Sequence, residues 1–382
     1  METLFKDSQI SKGFLVGEYL TQDLTSYASS KNTEQITLQN LREIQKNPYQ
    51  NMQNLTISDQ MEKLAHDMNF VSDKIGYILD LSTRFNGLEQ DKIKRLQELS
   101  QNKIQILFGY SPNQNYIAKM LSIDNIEDHL KNDIEFEMKT GRKKMLPSFI
   151  GELIISNLED IFQRTLIQQS YNFQKIYGCP IFVNIGQDLN KLEVLNEVFQ
   201  ETKGQSIIYV IHSFMQNDLE GDQRIIKLLQ NSKSMILIKL YDHNLSHYNQ
   251  QGFSYRNTSS FQLRLFLNQL IQLGMIERVL LSNGVQFKTH LSFYGGRGYK
   301  ALQEKVLNHF DLAVQDQILI HNPARLMLWR EQIQEAPALP TPKWDCRLCK
   351  GKFEETHQKF EKMENNYCSM KCLSTHRQQG FN

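Results

Sequence analysis

Between residues 64 and 330 the chain repeats one unit, a short run of β-branched and other apolar residues followed by a longer amphipathic stretch. Runs that stay apolar at consecutive positions belong to strands covered on both faces, and parallel sheets are the sheets so covered. The expected strands are Gly76–Ser82, Lys103–Tyr110, Ser148–Ile154, Pro180–Gly186, Ser206–His212, Ser234–Tyr241 and Arg278–Asn283, and Phe14–Tyr19 near the start makes eight. Eight such strands, each followed by enough chain for a crossover helix, predict an α/β protein folded as a (β/α)8 TIM barrel. A doubly wound open sheet is the rival, but no Gly-x-Gly-x-x-Gly follows an early strand.

Residues 21–68 interrupt this rhythm with a polar stretch rich in Asn, Gln and Ser. Leu38, Leu41 and Ile44, then Leu55, Met61 and Leu64, recur at helical spacing, which predicts a helical insertion. After Trp329 the pattern fades into EAPALPTPKW, where Pro337, Pro340 and Pro342 stiffen the backbone and remove donors. The expected organisation is a barrel over 1–335, a proline-rich linker over 336–343 and a small module over 344–378 that is too short to bury a core of its own.

That module holds four of the 5 cysteines. Cys346 and Cys349 are spaced to point two thiolates the same way from a tight turn, and Cys368 and Cys372 share one helical face, which is the spacing of a tetrahedral zinc site. His376 lies four residues further and is an alternate ligand. A closed quartet leaves no open coordination position, so the expected zinc is a single structural ion that builds a docking surface. Cys179 stands alone beside Pro180 and reads as a buried thiol. Clustered cysteines, an amino terminus without a charged-then-apolar leader and no apolar run of spanning length predict an intracellular, non-secreted protein, cytoplasmic or part of a cytoskeletal or organellar assembly.

With 43 Lys+Arg against 42 Asp+Glu the formal net charge is +1, which gives no general attraction to nucleic acid or anionic membrane. Basic residues around the cysteines are offset by Glu354, Glu355, Glu361 and Glu364, so other proteins, in a multi-subunit assembly, are the expected partners.

The segments that close the strands, GFLVGEYL, FIGELI, CPIFVNIG and YVIHSF, together with Tyr294–Tyr299 (YGGRGY) and Asn322–Leu326 (NPARL), resemble the phosphotriesterase-related branch of the metal-dependent amidohydrolase superfamily. The stretch YCSMKCLSTHR resembles the second half of treble-clef fingers of the MYND and HIT type. The first resemblance implies a hydrolase with a two-metal site: His-x-His on the first strand, a bridging carboxylate on the fourth, a His on each of the fifth and sixth, and an Asp on the eighth. At the corresponding positions this chain has Gly17 and Tyr19, Asn184 and Gly284, and only Glu152 and His212 remain as ligand types. Two divalent ions need a ring of carboxylates and imidazoles, and the eighth-strand acid also serves the family as base.

The expectation is therefore a catalytically inactive barrel without the binuclear metal site, acting as a protein-interaction subunit. Two alternatives stand beside it: an amide- or ester-directed metal hydrolase with a rearranged site, using Glu152, His212 and His243, and a sensor barrel that anchors a polar ligand through Glu152 or Arg297. Glu152 in such an interior must be paired or protonated; Lys239, His212 and Tyr19 are the candidate partners. Gly295, Gly296 and Gly298 read as turn glycines rather than a phosphate loop.

Overall fold

The computed structural model describes residues 10–112, 125–140, 145–185, 191–192, 195, 207–211, 219–240, 247–250, 253–256, 259–327, 343–348, 352–354, 360–362, 365–367 and 369–378. The chain divides into two compact units, Met1–Ile333 and Gln334–Asn382.

In the first unit, β1 (Gly13–Glu18), β2 (Ile75–Asp80), β3 (Gln105–Tyr110), β4 (Phe149–Ile154), β5 (Ile181–Asn184), β6 (Ile207–Ile211) and β7 (Met235–Lys239) lie side by side in sequence order. A hairpin of β8 (His247–Gln250) and β9 (Phe253–Arg256) intervenes before β10 (Val279–Ser282), which pairs with β7 and completes eight strands. Every neighbouring pair in this sheet is parallel. Between the first and last strands the Ser282 hydroxyl donates to the Gly17 carbonyl at 2.9 Å, and the Asn283 amide donates to Glu18 Oε1 at 2.8 Å. The sheet is a nearly closed TIM barrel, as the eight apolar runs predict.

Crossover helices include Gln90–Leu99, Ile126–Thr140, Ile161–Tyr177, Leu219–Asn231 and Ser260–Gln272. Their ends follow local chemistry. Asp160 caps the third of them by accepting from the amides of Phe162 and Gln163, and Gly178 ends it at φ 72°. Ser259 and Gln262 form a capping box on the last.

Strand side chains alternate between two separate clusters. Phe14, Val16, Leu79, Leu107, Phe149, Phe182, Ile208, Val210, Leu237 and Leu280 fill the barrel, whereas Leu15, Ile78, Ile106, Ile150, Ile181, Tyr209, Ile236 and Leu281 pack with the helices. Asn322 is a clasp for this core: its side chain donates to the carbonyls of Ile276 at 2.9 Å and Val279 at 2.7 Å, leading into β10.

The insertion is less helical than its periodicity predicts. It contains short 3-10 turns, one six-residue helix at Leu41–Lys46 and a longer helix at Met61–Asn69. The Asn40 side chain accepts from the Thr37 amide in a turn that starts the helix after Leu38, so Leu38 stays 93% exposed.

In the second unit, β11 (Lys343–Asp345) pairs antiparallel with β12 (Lys352–Glu354), and β13 (Phe360–Lys362) with β14 (Asn365–Tyr367), followed by the helix Met370–Gln378. Its described core is Cys346 and Tyr367, both fully buried, with Leu348, Cys372 and Leu373 against them.

Among the described residues no helix is long and apolar enough to cross a membrane.

Candidate active site

Two glycines decide which side chains face the barrel interior at the carboxyl ends of the strands. Along β1, Phe14 and Val16 point inward. A bulge at Gly17, with φ 89°, breaks the alternation so that Tyr19 also joins the interior cluster. Along β4 the register shifts in the same way around Gly151, at φ 129°, so Phe149 and then Glu152 face inward. Neither glycine can be replaced without displacement: a Cβ on Gly17 would lie 2.5 Å from Leu237 Cδ2, and one on Gly151 would lie 2.6 Å from the Phe182 carbonyl oxygen. On β7 the alternation is regular, and Lys239 follows Met235 and Leu237 inward.

These three side chains meet. The Tyr19 hydroxyl donates to both Glu152 oxygens, at 2.9 and 2.8 Å. Lys239 Nζ donates to the Tyr19 hydroxyl and, at 3.2 Å, to Glu152 Oε1, and it lies 4.1 Å from the centre of the Tyr19 ring. Exposure is 0% for Lys239, 3% for Glu152 and 3% for Tyr19. Burial pulls the Lys239 ammonium below its usual range, and the carboxylates of Glu152 and, further off, Glu18 oppose that shift. Of the three candidate partners for Glu152, Tyr19 and Lys239 are both in place; His212 and His243 lie outside the described residues.

The neighbouring carboxylates are held differently. Glu18 accepts from the Asn283 backbone and side chain and, at 3.3 Å, from the Val285 amide. Complete burial nevertheless raises its carboxyl to about 7, with those hydrogen bonds pulling it back. Asp80 accepts from Ser82, Leu20 and Thr21 and is likewise pushed up by burial. Sequence reasoning passed over both residues, although a carboxylate at the end of an apolar strand already signals an inward polar site.

A raised carboxyl has a definite pH signature. The folded state holds the Glu18 proton more tightly than the unfolded chain, so this contribution is complete below about pH 4.5 and is lost as pH rises through about 7. The loss is about 3 kcal/mol, at 1.36 kcal/mol per unit. Urea unfolding from pH 5 to pH 8 is expected to show this decline, and Glu18→Gln to flatten it; an unchanged slope in the variant would refute the assignment.

The other expected positions are accounted for as follows. Gly17 is the bulge, Gly284 is a left-handed turn at φ 68° after β10, and Asn184 is 7% exposed at the end of β5, on the inward register of Phe182. In the YGGRGY run a Cβ on Gly296 would lie 2.0 Å from the His290 carbonyl oxygen, which makes the run a packing element. Arg297 pairs at the surface with Glu304 at 2.9 Å. Cys179 is a fully buried thiol. A cavity of about 260 Å³ is lined by Leu15, Ile75 and Leu319 together with the charged Asp73, Lys74, Lys300 and Glu304, and by none of Tyr19, Glu152 and Lys239.

The residues described here do not fit a binuclear metal site. The inward carboxylate that could bridge two ions is already bonded to a phenol and an ammonium. A divalent ion about 4 Å from that ammonium would be repelled by about 8 kcal/mol at an effective dielectric constant of about 20. In the second unit two of the expected zinc ligands, Cys346 and Cys372, share one apolar cluster, and the Arg347 amide donates to the Asn366 carbonyl at 2.8 Å, which brings the first turn beside the strand Asn365–Tyr367. Cys349 and Cys368 lie outside the described residues. The alternate ligand His376 has its Nδ1 engaged by the Tyr367 hydroxyl at 2.7 Å.

The model of the phosphotriesterase family matches residues 6–327. The chain belongs to this family. Residues 342–382 match the Vms1-associating treble clef domain, so the terminal module is a treble clef. The human N-acetyltaurine hydrolase is 23% identical over 307 residues, covering 78% of this chain and 86% of the relative. A phosphotriesterase-related protein of Aedes aegypti is 23% identical over 319 residues, covering 76% and 85%. Among solved structures, a resiniferatoxin-binding protein from Rhodobacter sphaeroides superposes with a TM-score of 0.70 at 19% identity, covering 83% of this chain and 91% of that one.

These relatives correct the expectation that the barrel is not an enzyme. Several curated phosphotriesterase-family relatives carry the name of a hydrolase, at about 23% identity. The expectation rested on ligand types alone. Position 19 contributes a phenol instead of an imidazole, and β7 adds an ammonium that the comparison of ligand positions did not consider.

Proposed function

We propose that this phosphotriesterase-family chain hydrolyses an amide or ester bond at the carboxyl mouth of its barrel, through a rearranged site. The observation that carries the reading is the buried contact of Tyr19, Glu152 and Lys239 at the strand ends, where barrels of this kind place their chemistry. Glu152 takes a proton from water as the water oxygen bonds to the acyl carbon. The Lys239 ammonium faces the negative charge that develops on the carbonyl oxygen. The Tyr19 hydroxyl hands its proton to the leaving nitrogen or oxygen as that bond breaks, and the proton on Glu152 returns to Tyr19.

N-acetyltaurine, the substrate named for the curated relatives, is the first probe. Purified full-length chain is expected to release acetate from it or from a related N-acyl compound, and Glu152→Gln to lower the rate about a hundredfold or more. A rate unchanged by that substitution sinks the reading.

The second part of the proposal concerns the treble clef. Cys346, Cys349, Cys368 and Cys372 hold one structural zinc, residues 336–343 link the module at 344–378 to the barrel at 1–335, and the module docks onto a protein partner of the Vms1 kind. Its support is the family match together with the shared cluster of Cys346 and Cys372. Reduced thiols of this sort require a reducing compartment.

A further inference from the structure

We infer that Lys239 is the resident cation of the barrel: its ammonium, tethered to β7, stands where the side chains of positions 19 and 152 converge and takes the electrostatic place of a divalent ion. This deepens the hydrolase reading and, where activity is concerned, rests on it.

Three observations carry the inference. The inward turns at Gly17 and Gly151 aim Tyr19 and Glu152 at one point, and that point is Lys239 Nζ. The ammonium is fully buried against a buried carboxylate, and the Tyr19 phenol bonds to both. Position 17 is also closed to any ligand, because Leu237, two residues before Lys239 on the same strand, fills the space its Cβ would need. β7 thus both excludes a first-strand ligand and supplies the positive charge.

A tethered ammonium can stabilise an oxyanion by charge and hydrogen bonding. It cannot lower the pKa of a bound water as a divalent ion does. The site therefore depends on Glu152 to activate water, and its chemistry is independent of added metal.

The test is a metal inventory of the full-length chain. Elemental analysis is expected to find about one zinc per chain, and X-ray absorption at the zinc edge a shell of sulfur at about 2.3 Å. A second or third tightly held metal per chain, or a population of metal with only nitrogen and oxygen neighbours at about 2.0–2.2 Å, overturns the inference. Hydrolysis supplies the second readout. Activity that survives exhaustive chelation supports both readings, and activity lost on chelation and restored by zinc, manganese or cobalt overturns the inference while leaving the chain a hydrolase. One sulfur-bound zinc with no hydrolysis under any condition upholds Lys239 as the resident cation and removes the hydrolase reading.

Discussion

Replacing Lys239 with Met is expected to destabilise the barrel by about 3–5 kcal/mol, because the substitution keeps the length of the side chain but strands the Glu152 carboxylate in an interior that is 3% exposed. The Tyr19 hydroxyl still reaches both carboxylate oxygens, so the charge keeps that donor and loses its ammonium. Adding Glu152→Gln removes the stranded charge, and the double variant is expected to recover most of the lost stability, since a buried ion pair exchanged for neutral groups of similar volume is often near neutral. Urea unfolding of the two single variants and the double variant gives the coupling energy directly. Additive losses, or a Lys239→Met barrel within about 0.5 kcal/mol of the parent, would show that the pair is not an interacting unit.

Stability and chemistry draw on the same pair in different ways. The double variant that restores stability lacks both the proton acceptor and the positive charge, so it is a folded barrel without the proposed activity. This separation matters for reading any inactive variant at the mouth: Lys239→Met alone loses both properties, and Glu152→Gln removes the carboxylate that opposes loss of the Lys239 proton, so its activity is read beside its urea midpoint.

The barrel was legible because its strands are buried on both faces, which writes each as a run of Ile, Leu, Val and Phe wherever it falls in the chain. The candidate site was legible in its residue types and not in its geometry. Gly17 reads naturally as a lost ligand; in the structure it is the residue that turns Tyr19 inward, a consequence of positive φ that spacing does not reveal. Gly151 does the same for Glu152. Lys239 appeared only as one of three partners for Glu152, because the regular alternation that points it inward is visible only once Leu237 is known to face the interior. Glu18 was passed over between two positions read as vacated, yet its hydrogen bonds to Asn283 and Val285 help join the first strand to the last. In the insertion the spacing of Leu41 and Ile44, and of Met61 and Leu64, marks helices, whereas Leu38, helically spaced to the first pair, lies in the Thr37–Asn40 turn.

The second large effect is expected at the other end of the chain. Cys346→Ser removes one thiolate of the proposed zinc quartet, and its cost is set by how little else holds the treble clef together. A module of some forty residues is short for a core of its own, and the described part of that core is Cys346 and Tyr367, with Leu348, Cys372 and Leu373 partly buried against them. Structural zinc supplies about 10–16 kcal/mol in comparable small modules, so the folding of this one is expected to be metal binding itself. Cys346→Ser is thus expected to lose its zinc, to become sensitive to protease beyond the proline-rich run and to lose binding to a Vms1-type partner. The barrel has its own core of residues at or near 0% exposure and is expected to unfold at an unchanged urea midpoint. Chelation of the parent chain should reproduce the variant and be reversed by added zinc. A variant that keeps its zinc and resists protease would place the ligands elsewhere. A barrel midpoint that falls with the module would show that the two units fold as one.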